Sequence, residues 1–480
     1  MQALLRRQRV QVPRHLHPLV GIDREAEVPP ERMGLNAAHV EAIWKAVEAW
    51  YRTGLQPAVT LVIRRHGQIV MKRSIGAVRG NAPGDHHPLV PLEPDSPICL
   101  FSASKAISAL LLHKLVEDGK LSLDDRVAAY LPEFAAHGKH RVTLRELLAH
   151  RAGIPTIAVE AHGPELLRNW DLIVAMLCAA KPFDPRFEKQ AYHALTAGFI
   201  AGEVVRRVSG LELPEALHKW IAEPLGLRYM TYGLAPELRD RLPANAVTGP
   251  GPVWPLTTYI RSIIGVPFAE GVEASNSDAF LSSVVPAGNI CASADDVCRV
   301  YQMLLNGGEL DGVRLFRPET VREAIAPVGA IQFDRTLKVP LRFSAGFLLG
   351  ERPFGLYGPN CAEAFGHLGF ISILAWADPR RALSVALLNT GKSVAQAVKE
   401  ATGVTTMAVG LITEAKQAEE IVVSGKADMV ALARGMLYDP RWGWHAAAEL
   451  GGEVSAPPQY WRSQPSTQKA LFGKITFGAR

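Results

Sequence analysis

The chain has 480 residues, 52 of them basic and 47 acidic, giving a formal net charge of +5, and 48% are hydrophobic. The length exceeds what one hydrophobic core usually serves, and the charges are scattered without the long basic runs of a nucleic-acid footprint. Five cysteines with no Cys-x-x-Cys argue against a disulfide framework or a zinc site, and no stretch reaches the ~18 uninterrupted apolar residues of a membrane span.

The basic start carries no apolar segment behind it, so a soluble, cytoplasmic protein is expected. Residues 1–33 turn from basic to Pro-rich and acidic, and read as a loosely attached N-terminal arm. Val40, Ile43, Trp44, Val47 and Trp50 recur at helical spacing. Residues 59–64 and 68–75 are β-rich runs joined at His66-Gly67, a hairpin signature. An apolar helix is expected over 104–117, closed by Asp118-Gly119. Thr143 and Glu146 form a capping box for a short helix that Gly153 and Pro155 terminate.

Helical period continues through 164–236, over 172–180, 195–209 and 213–221. Residues 240–288 then change character, rich in Pro and Gly with scattered Trp254, Tyr259, Phe268 and Phe280. A binding loop and a plain surface connection fit that pattern equally well. Ser293 caps a helix to Leu305, and strands return over 344–349, 364–366, 371–377 and 383–388. The order sheet, helices, sheet predicts an α/β fold. Residues 34–115 and 285–392 would make the α/β lobe and 116–284 an inserted helical lobe, with a pocket between lobes.

One stretch carries chemistry. In Cys99-Leu-Phe-Ser-Ala-Ser-Lys-Ala106, Ser102 and Lys105 stand three apart at the start of the apolar helix, which places them on one face. A serine there gains the positive end of the helix dipole, and an ammonium one turn on stabilises the alkoxide as it forms. A second Ser-x-x-Lys, Ser466 to Lys469, lies in a polar tail with no apolar helix behind it. No Gly-x-Ser-x-Gly elbow and no His-Glu-x-x-His occur, which disfavours an α/β-hydrolase and a zincin. Gly249-Pro-Gly251 has neither a third glycine nor a following helix, so nucleotide binding is discounted.

Phe101 to Lys105, Val142 to Pro155, Tyr192-His-Ala-Leu-Thr196 with Gly202 to Arg207, Ser293 to Asp296 and Phe365-Gly-His-Leu-Gly369 occur in that order. Together they resemble the class C β-lactamase-like family, and within it the carboxylesterase branch called family VIII, over about residues 34–392. The resemblance implies an antiparallel sheet flanked by helices, with Ser102 as the acylated nucleophile and Lys105 as its proton-transfer partner. Tyr192 would be the general base; its phenol would have to lose about three pKa units, ~4 kcal/mol, and a Lys105 ammonium could supply much of that shift. The backbone N–H groups of Ser102 and Phe370 would form the oxyanion hole, and Gly369 would let substrate approach the strand edge. Taken alone, Tyr192 and His367 would read as a core tyrosine and a structural histidine, and His193 as structural.

Two positions depart from the β-lactamase pattern. Ala194 stands where those enzymes carry the amide of Tyr-x-Asn, and His367 stands where they carry the lysine of Lys-Thr-Gly. The first lowers the expectation for β-lactams, leaving at most a weak side activity. The second would replace a fixed cation with a group that titrates near neutrality, which suits neutral esters. The expectation is a serine carboxylesterase for short to medium acyl esters that needs no metal or organic cofactor. The alternatives are a D-amino-acid-specific peptidase or amidase, or a silent penicillin-recognition scaffold.

The tail reads strand, helix, strand, helix from Val404 to Trp442, and over about 400–462 it resembles the last two βα units of the old yellow enzyme family of flavin oxidoreductases. The resemblance would put Gly410, Arg434 and Gly435 at cofactor-phosphate positions. A (β/α)8 barrel needs eight units and about 250 residues, so residues 393–480 are expected to be a non-catalytic fusion remnant without flavin. It would pack on the body or on another copy of the chain, which leaves a homo-oligomer open.

Overall fold

The N-terminal segment is woven into the sheet: β1 (Val20–Ile22) pairs antiparallel with Arg73–Ile75, and Val10, Leu16 and Leu19 are buried. Expected as a loose arm, it is held by backbone pairing and by Glu27, whose carboxylate accepts from the Arg73 guanidinium at 2.9 Å. The computed structural model of the protein describes residues 9–156, 163–249, 251–252, 254, 256–393, 407–409, 414–423, 429–431 and 441–454. Residues 1–400 and 401–480 form two compact units.

Helix α1 (Ala37–Arg52) is capped by the Asn36 side chain and buries Val40, Trp44, Val47 and Tyr51. The buried stripe runs through Tyr51, while Ile43 is exposed. Strands β2 (Ala58–Arg65) and β3 (Gln68–Arg79) make the expected hairpin, with His66 and Gly67 both at positive φ. The two short strands β4 (Val90–Pro91) and β5 (Ile98–Cys99) lead into the turn that holds Ser102.

Helix α2 (Ser104–Glu117) is apolar on nearly every face and buried accordingly, from Ser104 through Leu115 with few exceptions. Helix α3 (Leu144–Leu148) has the Thr143–Glu146 capping box, and α4 (Trp170–Ala179) and α5 (Thr196–Ser209) complete the helical layer. Strand β6 (Thr231–Tyr232) follows.

The stretch 240–288 is partly helical: α6 (Leu256–Ile264) and α7 (Phe268–Ala274) pack through a small apolar cluster of Phe268, Val272 and Ile371. Strand β7 (Ile290–Ala292) sits between β5 and β6 in a three-stranded sheet, and α8 (Ala294–Leu305) is capped by Ser293 and Asp296.

Strands β8 (Leu348–Leu349), β9 (Phe365–Leu368), β10 (Leu374–Asp378) and β11 (Leu383–Asn389) finish the main sheet. Its order is β1-β3-β2-β11-β10-β9-β8 with β4 on β3, antiparallel throughout. Strand alternation sends Val59, Leu61 and Ile63 toward α1, while Val62 faces the large core that holds α2 and α8. The sheet is therefore built from both ends of the body and covered on both faces. All five cysteines are free and buried.

In the second unit, β12 (Met407–Val409) and β13 (Met429–Ala431) pair in parallel, with α9 (Ala415–Val423) between them and α10 (Trp442–Leu450) after. This is the expected alternation of strand and helix. Gly410, Arg434, Gly435 and the second Ser-x-x-Lys lie outside the described residues.

Candidate active site

Ser102 lies in the single 3-10 turn Phe101–Ala103 that leads into α2. The preceding residue, Phe101, has a φ of 46°, a left-handed conformation that costs a non-glycine residue energy and must be held by its surroundings. The hold is visible. The Leu100 N–H donates to Ile290 O at 2.8 Å, and the Ile290 N–H donates to Ser104 Oγ at 3.1 Å. The Phe101 ring packs on Phe370 and Phe280, with centroids 5.5 and 6.4 Å away. Strand β7 and the aromatic cluster thus fix the turn that presents the serine.

Lys105 projects from the next turn into a dry environment. Its Nζ lies 2.9 Å from Ser102 Oγ, 2.7 Å from Ala194 O and 3.1 Å from Ala287 O. No carboxylate is among these partners, so burial alone pushes the amine well below the ordinary lysine value. Two of the three neighbours are carbonyls, which only accept. A neutral amine fits this arrangement: two N–H groups serve the carbonyls and the lone pair faces the Ser102 hydroxyl.

Tyr192 is gripped through its backbone. Its N–H donates to Asp334 Oδ1 at 3.0 Å. On either side, the Ala191 N–H donates to His150 O at 3.0 Å and the His193 N–H to His150 Nδ1 at 3.1 Å. The His150 ring packs tilted against the Tyr192 ring, centroids 4.7 Å apart, and His150 itself has a φ of 62°. The Tyr192 hydroxyl interacts with Ser102, and Lys105 Nζ lies 4.7 Å from the ring centroid.

The shift of the Tyr192 phenol runs opposite to the one expected. Burial raises the Tyr192 phenol above its usual range, and the Asp334 carboxylate adds to that, against a smaller opposing effect of the Ser102 hydrogen bond. The lysine that was to lower it has itself been driven toward neutrality. Asp334 and His150 were not singled out from sequence, since each acts through hydrogen bonds to chain-distant backbone.

His367 also departs from expectation. It is buried and pushed down to about 3, chiefly by desolvation, so it is a neutral imidazole rather than a group titrating near neutrality. Its Nδ1–H donates to Leu368 O at 2.7 Å, and its buried Nε2 has no protein partner. Its ring lies 6.1 Å from that of Tyr192. His193 is structural, as expected: its Nε2 accepts the Ile154 N–H at 3.1 Å and its Nδ1–H donates to Ala191 O at 2.6 Å.

Gly369 is required for a different reason from the one expected. A Cβ there would stand 2.5 Å from Leu100 O and 2.7 Å from Ile373 Cβ, so the glycine lets β9 close against the nucleophile loop. The following turn is strained at Ile371 and Ser372, with φ of 59° and 67°, and is anchored by Asn389 Nδ2 donating to Ser372 O at 2.6 Å. This turn carries Phe370 to the edge of the site.

From Ser102 a cavity of about 330 Å³ opens between α4, α5 and the α6–α7 pair. Ser102, Ala194, Ala287 and Phe370 border it, and apolar residues make most of its wall. Residues of the 240–288 stretch from Arg261 to Ser275 line it directly.

Ser102, Lys105 and Tyr192 meet beside an antiparallel sheet, and the chain has relatives among known proteins. The β-lactamase family profile ("Beta-lactamase") matches residues 47–405. The chain belongs to this family. As a β-lactamase-family member it is 30% identical over 319 residues to the esterase/β-lactamase LipL of Mycobacterium tuberculosis, covering 62% of this chain and 70% of that protein. It is 31% identical over 325 residues to esterase EstB of Burkholderia gladioli, covering 62% and 77%.

Among solved structures, a penicillin-binding protein homologue from Caulobacter crescentus superposes with a TM-score of 0.61 at 31% identity, over 73% of this chain and 92% of that one. A family VIII carboxylesterase gives 0.61 at 29% identity, over 72% and 91%. With these relatives the chain is a serine hydrolase, not a silent scaffold.

The end of the chain has separate relatives. The NADH:flavin oxidoreductase / NADH oxidase profile matches residues 361–452. A NADPH dehydrogenase of Geobacillus thermodenitrificans is 47% identical over 68 residues, 14% of this chain and 20% of that protein.

Proposed function

We propose that the protein hydrolyses short to medium acyl esters through an acyl-enzyme on Ser102, with Lys105 as the base and Tyr192 as the proton donor to the leaving alcohol. The observation that carries this reading is the environment of Lys105 Nζ, which has two carbonyl acceptors and the nucleophile as neighbours and no carboxylate to hold it charged. Ser102 Oγ attacks the ester carbonyl while its proton passes to the Lys105 amine. The N–H groups of Ser102 and Phe370 receive the oxyanion. As the tetrahedral adduct collapses, the Tyr192 hydroxyl gives its proton to the departing alkoxide and is resupplied by the Lys105 ammonium. Water then attacks the acyl-enzyme and its proton returns along the same pair, freeing Ser102.

Neutral His367 offers no cation for a substrate carboxylate, and Ala194 offers no side-chain amide for a β-lactam. Both support esters over β-lactams. The flavin-oxidoreductase-like tail takes no step in this chemistry. Turnover of p-nitrophenyl butyrate against a chromogenic cephalosporin, with Ser102→Ala beside the native enzyme, tests the reading. Ester turnover should dominate and be lost in the variant; a cephalosporin preference, or ester turnover that survives Ser102→Ala, would refute it.

A further inference from the structure

The cavity beside Ser102 has a chemical direction. Most of its wall is apolar: Leu166, Ile173, Leu177 and Phe199 from the helical layer, with Ile264 and Val266 from the α6–α7 side. Thr196 and Ser275 also border it, but their hydroxyls are spent on Ile154 O and Val272 O at 2.6 Å each. Arg261 and Glu270, of opposite sign, are its charged lining residues. Tyr192 and His367 do not line it. A leaving oxygen must lie where Tyr192 can protonate it, so the alcohol side of the ester points away from the cavity and the acyl side points in. Phe370, which carries the oxyanion N–H, stands on the cavity wall, as an acyl carbonyl at its mouth requires.

The volume sets the size of the occupant. About 330 Å³ is roughly twice a cavity that holds one benzene, which gives room for roughly ten carbons. We infer that this cavity is the acyl site, and that the preferred substrates are esters of unbranched, uncharged acids of about eight to ten carbons with small alcohols. The inference rests on the esterase reading of Ser102 and narrows it from short-to-medium acids to the medium-chain end. Each methylene added from acetyl upward is removed from water, and should raise kcat/KM by about fourfold until the cavity is full. The small Ala194 contributes, because it borders the cavity beside the nucleophile and a longer side chain there would narrow its mouth.

The test compares two esters of equal carbon count and opposite polarity, ethyl octanoate and octyl acetate, in the full-length enzyme. A third substrate, ethyl acetate, fits any orientation. Ala274→Phe places a ring in the cavity from α7, and Leu167→Trp does so from the opposite wall; neither residue touches Ser102, Lys105 or Tyr192 chemistry. The native enzyme should prefer ethyl octanoate to octyl acetate by at least tenfold in kcat/KM. Either folded variant should lower the ratio of kcat/KM for ethyl octanoate to that for ethyl acetate by tenfold or more.

Equal loss on both octyl and octanoyl esters, or a preference for octyl acetate, would overturn the acyl assignment while leaving the esterase reading intact. Failure of all three esters with the native enzyme would overturn the esterase reading itself.

Discussion

Replacing Lys105 with Met keeps an unbranched stem of similar length and deletes two N–H donors. Ala287 is fully buried, so its carbonyl, now 3.1 Å from Nζ, would be left without a donor, at a cost of about 1–3 kcal/mol. Ala194 is only partly buried, so water can reach its carbonyl, and its loss adds about 1 kcal/mol. Together the variant should lose about 2–4 kcal/mol, a large share of the ~5–15 kcal/mol that stabilises a typical domain. Urea denaturation followed by circular dichroism measures it. Ester turnover of the folded variant should fall by about 10²–10⁴, the range for a deleted general base.

The gap between native enzyme and variant should also depend on pH. Burial holds the Lys105 value below that of the unfolded chain, so between the two values the unfolded state carries the extra proton. Stability from this residue therefore grows as pH rises toward 10.5 and shrinks as pH falls. A Lys105→Met enzyme as stable as the native one would refute the reasoning. It would mean that an ammonium is buried there without compensation, and that its removal offsets the lost hydrogen bonds.

Two further outcomes follow from the same geometry. The pH profile of kcat/KM should fall on the acid side as Lys105 takes a proton, with its midpoint below the ordinary lysine value, and should stay level through pH 10 because Tyr192 remains a phenol; a rate that climbs steadily through pH 9–10 would instead identify a phenolate base. Gly369→Ala should cost about 1–3 kcal/mol in urea melts and more than tenfold in ester turnover, since the new methyl meets Leu100 O at 2.5 Å and displaces the nucleophile loop and the Phe370 N–H together; native-like turnover would contradict that coupling.

What could be read from the sequence was whatever depends on short range. Ser102 and Lys105 are three apart on a helix, and the Thr143–Glu146 and Ser293–Asp296 caps close within one turn, so residue type and spacing were enough. The central strands were legible because β2, β3 and β11 are long and apolar. Strand β1 was not, because three residues pair through backbone alone and Val10, Leu16 and Leu19 share no period. Helices α6 and α7 were hidden by the surrounding Pro and Gly, and their packing depends on Phe370 and Ile371, some hundred residues away.

The protonation states ran opposite to expectation for one physical reason. A titrating group responds to burial and to charges brought in by other segments, and sequence spacing contains neither. Lys105 is desolvated with no carboxylate beside it, Tyr192 is raised by burial and further by Asp334, and His367 is enclosed.

The central claim is a covalent bond to Ser102. Rapid quench of the enzyme with p-nitrophenyl octanoate, followed by intact-mass and peptide mass spectrometry, reads it directly. The account predicts one octanoyl group per chain on the peptide containing Ser102, absent from Ser102→Ala. An octanoyl group on any other residue, or full turnover by Ser102→Ala, would contradict it.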